Sequence, residues 1–187
     1  MGESVTFSET DRPVVLLIDT HPDVHDRLAQ LLRLEPFELC SATTAVEALA
    51  TLARQPVDLV MSAARLPDMD GATLLAQIHH DYPHTVRLLL TGETDLTLII
   101  KAINEGQIYR YLSKPWKDEE LLLALRQSLA HQHSERERLR LEQLIRQQNE
   151  ELKQLNASLE KRVVSRTSEL QQTADMLDLA YEELKHS

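Results

Sequence analysis

Five short apolar runs, separated by stretches with helical spacing, leave this chain few folds to choose from. The runs are residues 14–18, 37–42, 57–61, 86–90 and 108–112. Runs without polar alternation are the mark of strands buried on both faces, as in parallel sheets. Between them, Val24, Leu28, Leu31 and Leu32 mark one face of a helix that Pro22 can open at its first turn. Val46, Leu49, Ala50, Leu52 and Ala53 mark a second helix, capped by Thr43 or Thr44. Leu74, Leu75 and Ile78 mark a third, starting near Ala72. Residues 95–105 read as a fourth, stopped by Gly106, and Leu121, Leu122, Leu125 and Leu129 as the core face of a fifth. The alternation predicts an α/β fold, a doubly wound five-stranded parallel sheet with helices on both faces. Residues 1–12 are polar and predicted to fray.

Nothing stops the fifth helix. No Gly follows Gly106 and no Pro follows Pro115 in the 187 residues. Leu141, Ile145, Gln148, Leu152, Leu155 and Leu159 alternate steps of four and three, a coiled-coil seam with one polar member. Val163, Leu170, Leu177 and Leu184 continue at intervals of seven. The step from Leu159 to Val163 is four where the heptad expects three, which reads as a stutter. Whether Arg166 or Thr167 joins the second half is open. A lone helix of about 100 Å would expose this stripe. A helix folding back on its own domain is the alternative, but no Gly or Pro marks a turn. The expectation is a homodimer through a parallel coiled coil. The domain plan is then residues 1–12 as a frayed terminus, 13–130 as the α/β domain and 131–187 as a coiled-coil helix continuous with its last helix.

Composition narrows the function classes. The net charge of −10 makes the chain a poor generic binder of nucleic acid, and the bases of the tail are interleaved with acids. A single cysteine, Cys40, excludes an internal disulfide and fits a reducing compartment. No apolar run is long enough to cross a membrane and no signal-peptide pattern opens the chain. A cytoplasmic location without membrane contact is expected. His21 and His25 are four apart, but no third ligand accompanies them, so no metal site is expected. His131 and His133 are two apart, which puts them on different helix faces.

Chemistry in open α/β sheets collects beyond the carboxyl ends of the strands. The third run ends in Ser62-Ala63-Ala64-Arg65-Leu66 before Pro67-Asp68-Met69-Asp70-Gly71. Adjacent strand residues face opposite ways, so Ser62 is expected to point away from any pocket that Ala63 lines. Asp68 and Asp70 read as turn and helix caps around Gly71.

This stretch, with Asp19 after the first run, Thr91 after the fourth, Lys114-Pro115 after the fifth and Tyr111 three residues before that lysine, resembles the receiver domains of response regulators, over about residues 13–130. In such domains two acids after the first strand and a phosphoacceptor aspartate after the third hold Mg²⁺. The resemblance places the acceptor at Ala63 and the second acid at Thr20. Alanine offers no nucleophile, so ordinary aspartyl-phosphate chemistry is excluded there. With two of three carboxylates gone, Mg²⁺ binding is expected to be weak or absent and no other cofactor is implied. Lys114 is expected to pair with Asp19, since a lone acid in a partly buried pocket needs a partner. The implied function is a phosphorylation-independent pseudo-receiver, not itself an enzyme, that dimerises and positions an output domain or protein partner. Tyr111, the switch aromatic, is expected in one fixed conformation. Residues 103–116 are similar to a receiver subgroup that precedes cyclic-di-GMP phosphodiesterases of the HD-GYP class and some kinases and phosphatases, and residues 180–185 resemble the linker entering such an output domain. Two alternatives stay open: the regulatory fragment of such a phosphodiesterase, and a receiver phosphorylated at an unorthodox residue.

Overall fold

The computed structural model describes residues 12–92 and 95–187. The remainder of the terminus expected to fray, residues 1–11, lies outside them. Strands β1 (Val14–Ile18), β2 (Glu38–Ala42), β3 (Leu59–Ala63), β4 (Val86–Thr91) and β5 (Arg110–Ser113) alternate with helices α1 (Pro22–Leu32), α2 (Ala45–Arg54), α3 (Gly71–Asp81), α4 (Leu96–Asn104) and α5 (Asp118–His186). The sheet is parallel throughout, in the order β2-β1-β3-β4-β5. This is the doubly wound arrangement read from the sequence. The fifth strand starts later than its apolar run, because the Ile108 amide donates to the Ala102 carbonyl in the fourth helix rather than pairing with β4.

Side-chain alternation builds two cores. Val15, Leu17, Leu59, Met61, Leu88 and Leu90 face one way, under Leu28 and Leu32 of α1 and Leu121, Leu125 and Leu129 of α5. Leu16, Ile18, Val60 and Leu89 face the other way, under α2, Leu74, Leu75 and Ile78 of α3, and Ala102 of α4. Strand order reverses at β1 and β3, so their carboxyl ends open the crevice in which such sheets place their ligands.

Local signals act as read, with two corrections. Pro22 opens α1, and Thr44 caps α2 by accepting from the Glu47 amide while Glu47 reaches back to the Thr43 amide at 2.7 Å. Asp70 caps α3 through the Thr73 amide at 2.7 Å. Asp68, expected to cap beside Gly71, instead reaches across to α2 and accepts from the Ala45 and Val46 amides, both at 3.0 Å. These amide donors hold its carboxyl below the ordinary range, against the cost of desolvation. Gly106 does follow the end of α4, but the left-handed residue is Gln107, at φ 44°. The reason for glycine at 106 is space, because a Cβ there would lie 2.9 Å from the Ala102 carbonyl oxygen and 3.2 Å from Leu75 Cβ.

A charged residue at the start of β3 ties the lower edge of the sheet together. The Asp58 amide donates to Val14, its carbonyl accepts from Val86 at 2.9 Å, and its carboxylate accepts from the Val14 amide at 2.9 Å. Helix α5 joins this knot: Gln132 donates to the Asp58 and His84 carbonyls at 3.1 and 2.8 Å, and Arg136 pairs with Asp58 at 3.2 Å. The described structure accordingly separates into a unit ending at Arg136 and a second, Glu137–Ser187, later than the boundary at residue 130 read from the sequence. Replacing the buried Gln132 by Leu removes the donor to the His84 carbonyl. It is expected to cost the first unit about 1 kcal/mol, read as a lower urea midpoint in the fluorescence of Trp116, the single tryptophan. An unchanged midpoint would remove Gln132 from this account.

The second unit is helical to His186, and from His133 onward every residue is exposed. Leu141, Ile145, Leu152, Leu155 and Leu159 are 45–56% exposed, and Val163, Leu170, Leu177 and Leu184 are 63–76% exposed. Among the described residues no helix is long and apolar enough to cross a membrane.

Candidate functional site

The crevice gathers Asp19, Ala63, Thr91 and Lys114 at the carboxyl ends of β1, β3, β4 and β5, each strand ending where its apolar run meets a polar or small residue. The Asp19 carboxylate is fully buried. Its Oδ1 accepts from the His21 amide at 2.9 Å and stands 2.9 Å from His21 Nδ1. Its Oδ2 is paired with Lys114 Nζ. Burial alone would raise its pKa, but the hydrogen bonds from Lys114 and His21 and the lysine's charge outweigh burial and hold it below its ordinary value of 3.8. Lys114 itself is placed by its amide, which donates to the Thr91 carbonyl at 2.8 Å, and its peptide bond to Pro115 is cis. The Lys114–Asp19 pair expected from the sequence therefore exists.

Ala63 is buried and presents a methyl group. Ser62 is also buried, and its hydroxyl donates to the Ala63 carbonyl at 2.9 Å. That oxygen lies against the start of α3, since a Cβ on Gly71 would fall 3.0 Å from Ser62 Oγ. Thr20 is exposed, with its hydroxyl 3.4 Å from His21 Nδ1. Thr91 is buried and donates to the Gly92 carbonyl at 3.0 Å. Tyr111 is 47% exposed. His25, read beside His21, donates from Nε2 to the Asp19 carbonyl at 2.6 Å instead of sharing a site with it.

Two ion pairs around this crevice were not anticipated. Arg65 of the β3–α3 loop holds Asp95 at the start of α4, with contacts of 2.9 and 3.0 Å to one carboxylate oxygen. Lys101 of α4 donates to Asp70 at 3.2 Å and Thr73 at 2.7 Å. Asp70 is held below its ordinary pKa by Thr73 and Lys101 against the opposing effect of burial. Together they fasten α4 to the β3–α3 loop and to the first turn of α3. The signal was present as isolated charges in otherwise apolar or loop sequence, but their partners are about thirty positions away. Arg87, inside the fourth apolar run, carries no signal of its role in the local pattern. It is buried and donates to the carbonyls of Thr85, Gly106 and Gln107 at 2.6, 2.7 and 3.2 Å, and burial lowers its pKa.

Chemically the crevice offers one carboxylate, already engaged at both oxygens, one lysine neutralised by it, a hydroxyl and a methyl. Mg²⁺ asks for hard oxygen donors, usually one or two free carboxylates beside its waters. This donor set does not fit it. No nucleophilic atom stands at position 63.

The profile of the response regulator receiver domain family matches residues 15–126. The hydrogenase transcriptional regulatory protein HoxA of Cupriavidus necator is 35% identical over 118 residues, 63% of this chain and 24% of that protein. The chain spans about a quarter of the length of the curated relatives it matches. A signal receiver domain of an HD domain-containing protein from Pseudomonas fluorescens Pf-5 is 62% identical at a TM-score of 0.65, covering 66% of this chain and 99% of that one. A CheY-like receiver domain protein from Methanospirillum hungatei JF-1 is 29% identical at 0.64, covering 67% and 99%. With the strand order, the crevice and the profile in agreement, the chain belongs to the response regulator receiver domain family.

Proposed function

We propose that this chain is a receiver that signals without aspartyl phosphorylation, dimerises through its C-terminal helix and positions an output domain or protein partner in the cytoplasm. The observation that carries the reading is the methyl group of Ala63 at the end of β3, beside an Asp19 whose two oxygens are taken by Lys114 and His21. Thr91 and Tyr111 then have no phosphoryl group to follow, and Tyr111 keeps one conformation. The Arg65–Asp95 and Lys101–Asp70 pairs support this, because they fasten the helix that borders Thr91. Leu96, Ile100 and Ile103 on α4, with Tyr109 and Tyr111, are exposed and form the proposed contact face for a partner.

The test is intact mass after incubation with acetyl phosphate and Mg²⁺, beside an ordinary receiver as positive control. The expected result is an adduct on the control and none on this chain. A stable adduct here would overturn the proposal, and its mapped position would establish the unorthodox acceptor instead.

A second reading makes this chain the regulatory part of a cyclic-di-GMP phosphodiesterase of the HD-GYP class. The 62% identity to the receiver of an HD domain-containing protein favours it. The chain itself carries no His-Asp metal motif, so the activity would reside in a linked domain. Cyclic-di-GMP hydrolysis by the full gene product tests this: turnover supports it, and a product without turnover refutes it.

A further inference from the structure

We infer that the occupant of the exposed α5 stripe is a second copy of this chain, parallel and in register, and that Gln148 selects that pairing. The inference rests on the proposed dimer and adds the register and the residue that fixes its parallel orientation.

The stripe is continuous. On a straight α-helix a strict heptad drifts backward around the axis with every repeat. The step of four from Leu159 to Val163 returns the stripe, so Leu141 through Leu184 stay on one face. About 65 Å of helix therefore presents one apolar line. Every member is exposed, and so is Gln148 within it. An apolar line of this length on an isolated helix calls for a partner helix of equal length, and a second copy supplies one.

Gln148 separates the possible pairings. In a parallel, in-register pair it meets its own copy, and the two amides can donate and accept across the seam. An antiparallel pair that covers the whole stripe aligns Leu141 with Leu184 and sets Gln148 against Leu177, burying an amide on an apolar side chain. An antiparallel pair that matches Gln148 with itself sets Leu170 against Arg126 and Leu177 against Glu119, positions within the other copy's receiver unit rather than its free helix. Only the parallel pairing both covers the stripe and satisfies the amide. Its consequence is that the two chains run the same way along the coil, so whatever they position at its C-terminal end is presented as a symmetric pair.

The experiment uses the full chain with Cys40 replaced by Ser. Single cysteines are placed by Ile145→Cys and Leu184→Cys on the stripe and by Lys161→Cys on the opposite face. After mild oxidation, Ile145→Cys and Leu184→Cys are each expected to form the self-linked dimer at least tenfold faster than Lys161→Cys. Gln148→Leu in the Ile145→Cys background is expected to lower the self-linked fraction at least twofold by admitting other pairings or assemblies, while sedimentation still detects association. A sedimenting dimer in which neither stripe variant self-links overturns the orientation and leaves the dimer standing. A monomer at all concentrations overturns the dimer itself. Undiminished self-linking in the Gln148→Leu protein overturns the role of Gln148.

Discussion

Lys114→Ala is expected to destabilise the receiver unit by about 2–3 kcal/mol at neutral pH. Breaking a buried pair by removing one partner costs about 3–5 kcal/mol, because the remaining charge stays desolvated. The lysine side chain is 25% exposed, which moderates that figure. The pH dependence identifies the cause. In the native chain the Asp19 pKa is lowered, so its contribution is complete above the unfolded value near 3.8 and is lost as pH falls through the folded value. Without Lys114 the largest remaining influence is burial, which raises the pKa. The orphaned carboxyl then protonates at higher pH than in the native chain, and the deficit relative to native shrinks on acidification. Asp19→Asn combined with Lys114→Ala removes the buried charge and is expected to recover most of the loss. Urea unfolding followed by Trp116 fluorescence, from neutral pH to about pH 4, gives the comparison. A deficit independent of pH, or no rescue by the double variant, would show that the pair is not what holds the crevice.

Gly71→Ala is expected to cost about 3 kcal/mol or more, at the upper end of overpacking losses. A Cβ at this position would lie 2.0 Å from the Ala63 carbonyl oxygen, and the obstacle is backbone, which cannot rotate aside. The Gly71 amide also donates to the Ala64 carbonyl at 2.8 Å, so the first residue of α3 is drawn directly onto the end of β3. Relief would have to move the segment that carries position 63, and the variant therefore tests how tightly the crevice is built. Gly92→Ala is the control, since among the described residues outside its own neighbours nothing lies within 4 Å of its Cβ position, and it is expected to stay within about 0.5 kcal/mol of the parent. Equal stability for both variants would mean that the β3–α3 loop yields easily.

Both variants concern residues whose type was legible in the sequence and whose burden was not. Gly71 was visible as loop punctuation, but its contact with Ala63 arises only when α3 folds back over β3. Asp68 carried the composition of a helix cap, yet the helix it caps belongs to a different part of the chain. Lys114 and Asp19 are matched in the sequence only because the receiver resemblance puts both in one pocket, where a lone buried acid needs a partner. Arg65 with Asp95, Lys101 with Asp70 and Arg136 with Asp58 had no such rule to join them. Surface charges pair by proximity in space, and periodicity does not report that.

The sequence by itself determined the five strands, the helices between them, the parallel sheet and the unbroken final helix, because apolar periodicity and the placement of Gly and Pro act locally along the chain. It also determined that position 63 has no nucleophile. The tertiary structure alone decided that both Asp19 oxygens are occupied, that α4 is pinned to α3, and that the first unit extends through Gln132 to Arg136. Those outcomes depend on hydrogen bonds and ion pairs between residues tens of positions apart, whose geometry exists only once the two cores have packed.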